Sequence, residues 1–142
     1  GPFHAVITHS FGGPSLALAM KQDFIGERVV CLCPPASTAG LVDKFARTLH
    51  INDKSIRAMK RLIEKRFGKD VWSEVAMVNN VSGQTVPAMI IHDEEDSDIP
   101  WQEGYAVSQA WPGSRFIKTR HLGHHRILRD TTTIQKAVGF IG

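Results

Sequence analysis

The sequence is poor in cysteine and lacks any long apolar run. It has two cysteines among 142 residues, and no stretch approaches the roughly 18 consecutive apolar residues that a membrane-spanning helix requires. The visible N-terminus also lacks a basic segment followed by an apolar core, which is the pattern of a secretory signal peptide. These absences predict a protein without a membrane span and favour a cytoplasmic location.

Both cysteines, Cys31 and Cys33, lie in the stretch RVVCLCPP, which has the pattern of a buried strand. Residues two apart on a strand point to the same face, and such close neighbours have poor geometry for a disulfide. The C-x-x-C spacing of zinc and redox sites is absent. We therefore expect two reduced, buried thiols with no metal between them.

The excess of positive over negative charge is also small, since the formal net charge is +3. Much of the basic excess lies in residues 54–69, KSIRAMKRLIEKRFGK. An anionic ligand or a nucleic acid would account for this clustering, but few aromatic residues are interleaved and no nucleic-acid motif is present. A solvated helix face is the better interpretation, and we predict no nucleic-acid partner. The length predicts a single domain over residues 1–142.

Strand-like and helix-like stretches alternate along the chain. Apolar and β-branched stretches predict four strands, at residues 4–9, 28–34, 86–92 and 114–120. Helical spacing follows each strand, and the last helix, residues 124–141, is expected to bury a stripe formed by Ile127, Leu128, Thr131, Ile134, Val138 and Ile141. This alternation predicts an α/β fold, a parallel sheet of about four strands with flanking helices.

Residues 38–75 contain no strand and are predicted to form a helical insertion. Asp53 is a candidate N-cap for its second helix. On that helix one stripe is formed by Ile56, Met59, Leu62 and Ile63, and lysines and arginines lie on the other side.

Three strands are followed by residues capable of chemistry. Ser10 follows the first strand, the acidic stretch HDEEDSD ends the third, and HLGHH follows the fourth. In parallel sheets, ligands bind at the carboxyl ends of the strands. A serine, an acid and a histidine at one sheet edge are the parts of a nucleophilic triad, because a serine hydroxyl needs a base and the base needs an orienting acid.

The surroundings of Ser10 favour this interpretation over an ordinary helix N-cap. A strand that passes directly into a helix bends sharply, and Gly12 and Gly13 supply the small neighbours that such a bend requires. The helix directs its N–H groups and positive dipole end toward the serine. The N–H of Phe11 is therefore the expected oxyanion donor.

The motif THSFGG resembles the G-x-S-x-G nucleophile elbow of the α/β-hydrolase superfamily, with Thr8 in place of the first glycine. VPAMIIHDEEDSDIP resembles the acid turn of that superfamily, with Asp96 at the acid position and Asp93 where a glycine is usual. TRHLGHHRIL resembles its histidine loop, with His124 as the catalytic histidine. The order Ser, Asp, His is also that of the superfamily. The longer segment WPGSRFIKTRHLGHHRILRD further resembles an uncharacterised bacterial branch of its hydrolases.

Alternatives exist at each position. Asp98 is the nearest rival to Asp96, and the three histidines 121, 124 and 125 make a metal site conceivable, although no partner has the ligand spacing that a defined metal set requires. We predict no metal and no cofactor. His9 is expected to pack behind the nucleophile.

The resemblance implies a serine hydrolase that cleaves a carboxylic ester or thioester, a small-molecule acyl substrate, through an acyl-enzyme. It also implies that residues 38–75 form a cap-like insertion, in which Phe45 and Trp72 are the candidate substrate contacts. The chain matches only the C-terminal half of that fold, from the elbow onward, and the second oxyanion donor would lie in the missing half. The alternative is a non-catalytic fragment or interaction module. Because the first strand would be left as an open edge, we expect a homo-oligomer or association with the missing N-terminal half.

Overall fold

A four-stranded parallel sheet organises the molecule. The computed structural model describes residues 3–24 and 26–142; residues 1, 2 and 25, which the single-domain prediction includes, lie outside the described part. The strands are β1 (Val6–His9), β2 (Val29–Leu32), β3 (Ala88–Asp93) and β4 (Arg115–Thr119). They follow one another in the order β1-β2-β3-β4, and every neighbouring pair is parallel. The predicted α/β sheet of about four strands is thereby confirmed.

Eight helices surround this sheet in the described part of the chain. They are α1 (Gly12–Met20), α2 (Thr38–Thr48), α3 (Asp53–Phe67), α4 (Val71–Glu74), α5 (Met77–Val81), α6 (Trp101–Ala110), α7 (Gly123–Arg126) and α8 (Thr131–Ile141), with a 3₁₀ turn at Ile127–Arg129. None of them is long and apolar enough to cross a membrane, as far as residues 3–24 and 26–142 are concerned.

The two faces of the sheet carry separate apolar clusters. On one face, α1, α5 and α6 pack with Leu16, Met77 and Trp111 against Cys31 and Ile90. On the other, Ile127 and Ala137 cover alternate residues of β2 and β3, such as Val30 and Ile91. Both central strands are buried throughout, as expected for a parallel sheet with helices on both faces.

The two cysteines do not share a face, contrary to the prediction from their spacing. Cys31 belongs to the first cluster and Cys33 to the second. Cys33 follows the last residue of β2 and has a φ of +50°, so it no longer obeys the two-residue alternation of a strand. Both thiols are free and buried.

Residues 38–75 form the helices α2, α3 and α4. Their role as a cap-like insertion stays a prediction. The sequence pattern placed the N-cap of α3 one residue too late. Asn52, rather than Asp53, caps α3 by accepting a hydrogen bond from the N–H of Ser55 at 2.9 Å. The short helix α5 follows the insertion and is buried at Met77, Asn80 and Val81.

The C-terminal segment is not one continuous helix. It breaks at Asp130, whose carboxylate accepts the N–H and the hydroxyl of Thr133 and thereby caps α8. Because the helix restarts there, its buried positions are Thr133 and Ala137, while Leu128, Ile134 and Val138 of the predicted stripe are exposed. Only Ile127 of that stripe is fully buried.

Candidate active site

Ser10 lies at a sharp bend between β1 and α1. Its φ of +54° is in the left-handed region, which non-glycine residues adopt rarely and at a cost of about 1–3 kcal/mol. Its N–H donates to the carbonyl of Leu32 at 2.9 Å, and its own carbonyl accepts the N–H of Gly13 at 3.0 Å. These two bonds hold the strained backbone between the end of a strand and the first turn of a helix.

Small residues make this bend possible. A Cβ atom on Gly13 would lie 3.0 Å from both Met77 and Pro34, and one on Gly12 would lie 3.3 Å from the Cβ of Thr8. Larger side chains at these positions would push α1 away from the sheet. The predicted requirement for small neighbours therefore has a specific physical basis in the packing of α1.

The N–H of Phe11 remains available at the start of α1. Phe11 is the N-terminal flanking residue of the helix, its side chain is half exposed, and its N–H donates to no acceptor in the described part of the chain. A free N–H beside the serine, at the positive end of a helix, can stabilise an oxygen that gains negative charge.

His124 and Asp96 form a short hydrogen bond in a buried position. Nδ1 of His124 lies 2.7 Å from Oδ2 of Asp96, and neither side chain is more than 7% exposed. An ionised carboxylate only accepts hydrogen bonds, so Nδ1 carries a proton, and in the neutral imidazole the lone pair is then on Nε2. This tautomer is the one that a general base needs.

Ser10 and His124 lie at the same sheet edge. Among the hydrogen bonds of the described residues, none joins their two side chains. His9, adjacent to Ser10, donates from Nε2 to the carbonyl of His124 at 2.8 Å, and the two imidazole rings lie 4.6 Å apart. Burial lowers the pKa of His9, so its neutral form is favoured. His9 therefore contacts the histidine loop, a role that the predicted packing behind the nucleophile did not include.

Asp96 is held by several donors besides His124. Its Oδ1 accepts the N–H groups of Asp98 and Ile99, each at 2.8 Å. Burial alone would raise the pKa of Asp96, but the hydrogen bonds from His124, His92 and Ile99 hold it well below its usual range. The carboxylate is therefore ionised and fixed in orientation.

His92 is a site residue that the sequence reasoning missed. It is fully buried, its Nε2 lies 2.8 Å from the carbonyl of Ile99 and 3.2 Å from Oδ2 of Asp96, and its Nδ1 has no partner among the described residues. The i, i+4 separation from Asp96 in an acidic turn was the available signal.

Asp93 was also missed, because it was regarded only as a departure from a glycine. Its carboxylate accepts from the hydroxyl of Thr119 at 2.7 Å, from the N–H of Gly123 at 2.9 Å and from the N–H of Glu95 at 3.0 Å. Burial opposes ionisation, but these hydrogen bonds lower the pKa of Asp93 overall. Asp93 thus joins the acid turn to the histidine loop.

The other acidic residues of this turn pair with side chains at the protein surface. Asp98 lies 3.2 Å from the exposed His125, Glu95 lies 2.7 Å from His121, and Glu94 pairs with Arg120. Among the acids considered for the triad, Asp96 is the one that contacts His124.

A metal ion has a conceivable set of ligands beneath this pair. Sγ of Cys33 and one ring nitrogen each of His9 and His124 lie within 4.8 Å of one another. Burial, together with the nearby Asp96 carboxylate, raises the pKa of the Cys33 thiol, which opposes metal binding at neutral pH. The absence of a metal stays a prediction.

The fold is similar to that of solved structures over nearly the whole chain. Rv0554 of Mycobacterium tuberculosis matches 96% of this chain with a TM-score of 0.68 at 16% identity. An α/β-fold hydrolase of Bacillus anthracis matches 96% with a TM-score of 0.63 at 14% identity. The chain has part of the α/β-hydrolase fold. The esterase RhEst1 of Rhodococcus sp. ECU1013, which matches 96% with a TM-score of 0.63 at 15% identity, agrees with this result.

The chain covers only part of these proteins. It spans 64% of Rv0554, 65% of the Bacillus hydrolase and 64% of the Rhodococcus esterase. No family model and no curated protein matches the sequence. The α/β-hydrolase resemblance of the three motifs is thus confirmed at the level of the fold.

The two candidate substrate contacts lie in different cavities of this partial α/β-hydrolase fold. Trp72 lines an almost wholly apolar cavity of about 350 Å³ that also includes Phe11, Leu18 and Phe67. Phe45 of α2 is largely exposed and lines a second apolar cavity of about 370 Å³. Other residues of α2 line this cavity too, together with Ile51 and with Met59 of α3. Only the cavity of Trp72 reaches the residue next to Ser10, so the structure separates the two candidates.

Proposed function

We propose that the chain is the catalytic part of a serine hydrolase that cleaves a carboxylic ester or thioester through an acyl-enzyme. The observation that carries this proposal is the buried Asp96–His124 hydrogen bond at the same sheet edge as Ser10, which occupies a strained strand-to-helix bend. In this assignment Ser10 is the nucleophile, His124 the general base and Asp96 the acid that orients the base.

The reaction follows from these roles. Oγ of Ser10 attacks the carbonyl carbon while its proton passes to Nε2 of His124, and a tetrahedral intermediate forms. The intermediate then expels the alcohol or thiol, which takes the proton from His124 and leaves the acyl group on Ser10. Water, deprotonated by His124, attacks the acyl-enzyme and releases the carboxylic acid and free Ser10. These steps require no cofactor.

Phe11 supplies one oxyanion donor in this proposal. We expect the second from the segment that completes the α/β-hydrolase fold on the open side of β1. Loss of one such donor typically lowers the rate ~10²–10³-fold. We therefore expect weak activity from this chain alone, and stronger activity when the complementary segment is added.

The apolar cavity beside Phe11 supports an apolar acyl group as the substrate part that binds there. Trp72 would contact this group, and its Nε1 already donates to Glu64 at 2.8 Å, which fixes the indole ring. Phe45 would serve a different part of the substrate or none. A cytoplasmic location also stays a proposal.

Labelling with a fluorophosphonate probe tests the nucleophile. The probe phosphonylates an activated serine, so Ser10→Ala should abolish labelling of the chain. Ser82→Ala removes an exposed hydroxyl far from the site in sequence and serves as the matched control, with labelling unchanged. Labelling that survives Ser10→Ala would show that another residue is the nucleophile.

A non-catalytic interaction module is the second candidate, favoured by the position of β1 at the edge of the described sheet. Such a module would pair through β1 and leave Ser10 unreactive. Absence of labelling in a folded wild-type chain, both alone and with the complementary segment, would support this candidate.

A further inference from the structure

The basic residues of this protein are concentrated in the cap, defined here as residues 38–75. The cap contains nine lysines and arginines and five acidic residues, a net charge of +4, whereas the rest of the chain has a net charge of −1. The charge of the molecule is therefore strongly asymmetric despite its small total. An anionic surface would attract the cap side of the molecule first.

Most of these cations have no acidic partner. Among the described residues, Lys60 is the one cap cation that pairs with a carboxylate, at 2.5 Å from Asp43. Lys44 donates to the carbonyl of Ser97, and the Arg66 guanidinium lies over the Phe67 ring. Lys65 and Arg66, near the end of α3, form no ion pair with any described residue and can therefore interact with an external anion.

Large apolar side chains are exposed beside these cations. Phe45 is 63% exposed and Leu62 is 68% exposed. Phe45 shares a cavity with Ile51 and Met59, Leu49 follows Phe45 by one helical turn, and Leu62 follows Met59 by one turn. We call these five exposed side chains, which form a connected series, the cap patch: Phe45, Leu49, Ile51, Met59 and Leu62.

Cations border the cap patch directly. Lys65 and Arg66 lie three and four residues after Leu62 on α3, which places them beside it on the helix surface. An exposed apolar patch next to unpaired lysines and arginines on an amphipathic helix is the pattern of helices that lie in a lipid interface.

We propose that the cap binds peripherally to an anionic lipid surface, with the cap patch in contact with the acyl boundary and its cations at the headgroups. Charge complementarity favours a lipid with a negative headgroup over a neutral one, since each lysine or arginine near such a surface contributes roughly 1 kcal/mol. The exposed apolar side chains favour lipid over nucleic acid, because phosphate binding alone does not require them. This inference does not depend on hydrolytic activity.

Cosedimentation of the 142-residue chain with lipid vesicles tests the inference. We expect binding to vesicles of phosphatidylcholine with 30% phosphatidylglycerol, little binding to pure phosphatidylcholine, and weaker binding as salt is raised, because salt screens exposed charges. Leu62→Glu should weaken binding at least about tenfold, and Lys65→Glu with Arg66→Glu should weaken it about 30-fold.

Matched controls lie on α8, which is outside the cap. Val138→Glu and Lys136→Glu change an exposed apolar and an exposed basic residue there and should leave vesicle binding unchanged. Circular dichroism confirms that each variant is folded, as expected for substitutions of exposed residues.

Three outcomes would overturn the inference. The folded chain does not bind the anionic vesicles; or the α8 variants weaken binding as much as the cap variants; or Leu62→Glu alters self-association in size-exclusion chromatography without any change in vesicle binding. The last result would assign the cap patch to a protein contact.

Discussion

At the scale of single residues, Asp96 connects the parts of the candidate site. It accepts hydrogen bonds from His124, from His92 and from two backbone N–H groups of its own turn. Neighbouring Asp93 performs the equivalent structural task between the acid turn and the histidine loop. Two buried carboxylates, three residues apart in the sequence and with different hydrogen-bond partners, thus hold the loops of one sheet edge together.

The depressed pKa of Asp96 predicts a loss of stability in acid. A carboxyl group with a folded-state pKa below its unfolded value of about 3.9 stabilises the fold above that pH, and this contribution disappears as the pH falls toward the folded-state pKa. We expect the free energy of unfolding to fall from about pH 4 downward, and to fall less steeply in Asp96→Asn. Urea unfolding at a series of pH values measures this difference.

Asp70→Asn is the control for this experiment. It removes a carboxylate that is exposed and makes no ion pair with any described residue. The acid-induced loss of stability should keep its wild-type steepness in this variant. An equally steep loss in Asp96→Asn would show that the buried carboxylate does not contribute.

At the scale of elements, helix α6 approaches β3 closely because it carries a glycine where it faces His92. A Cβ atom on Gly104 would lie only 2.3 Å from Nδ1 of His92. Because Gly104 has no side chain, the buried imidazole of His92 has room beside the backbone of α6. It also links the packing of α6 to the second partner of Asp96.

Alanine substitution of two helical glycines should therefore have opposite effects. Gly104→Ala creates a clash with His92 and should destabilise the protein by about 1–3 kcal/mol. Gly139→Ala places its Cβ in α8 with nothing within 4 Å and should stabilise by about 0.5–1 kcal/mol. Thermal or urea unfolding compares them, and a neutral Gly104→Ala would mean that α6 can move away from the sheet.

At the scale of the whole molecule, β1 forms the open edge of the described sheet. The N–H groups of Val6 and Ser10 donate to carbonyls on the β2 side, so those of Ile7 and His9 point to the open side. Ile7 is also half exposed. An unpaired edge of this kind pairs readily with another strand.

We predict that the chain forms a two-fold dimer in which β1 of one copy lies antiparallel to β1 of the other. Light scattering coupled to size-exclusion chromatography should give a dimer mass at micromolar concentration. Ile7→Lys places a charge on the edge strand and should shift the mass to that of a monomer. Ile134→Lys, at a comparably exposed isoleucine of α8, should not.

A wild-type chain that is monodisperse as a monomer at micromolar concentration, with β1 open to hydrogen exchange, would contradict the dimer. Dissociation of the dimer on addition of the complementary segment of the fold would instead show that both compete for the same edge.

Local patterns in the sequence were sufficient for the order of elements and for the residues proposed as the triad. Strands and amphipathic helices have short periods, and the chemistry-bearing residues follow strands directly, so Ser10, Asp96 and His124 could be named from spacing and motif. The roles of these three residues await the experiments proposed above.

Tertiary structure alone decided the features that depend on contacts between distant segments. Two local features also departed from the sequence patterns: Cys33 leaves its expected face because its backbone turns to a positive φ, and the last helix breaks because Asp130 caps a new one. The support of the site by His92 and Asp93 depends on residues up to 30 positions away. No local period encodes such contacts, since they arise only when the parallel sheet brings the ends of its strands together.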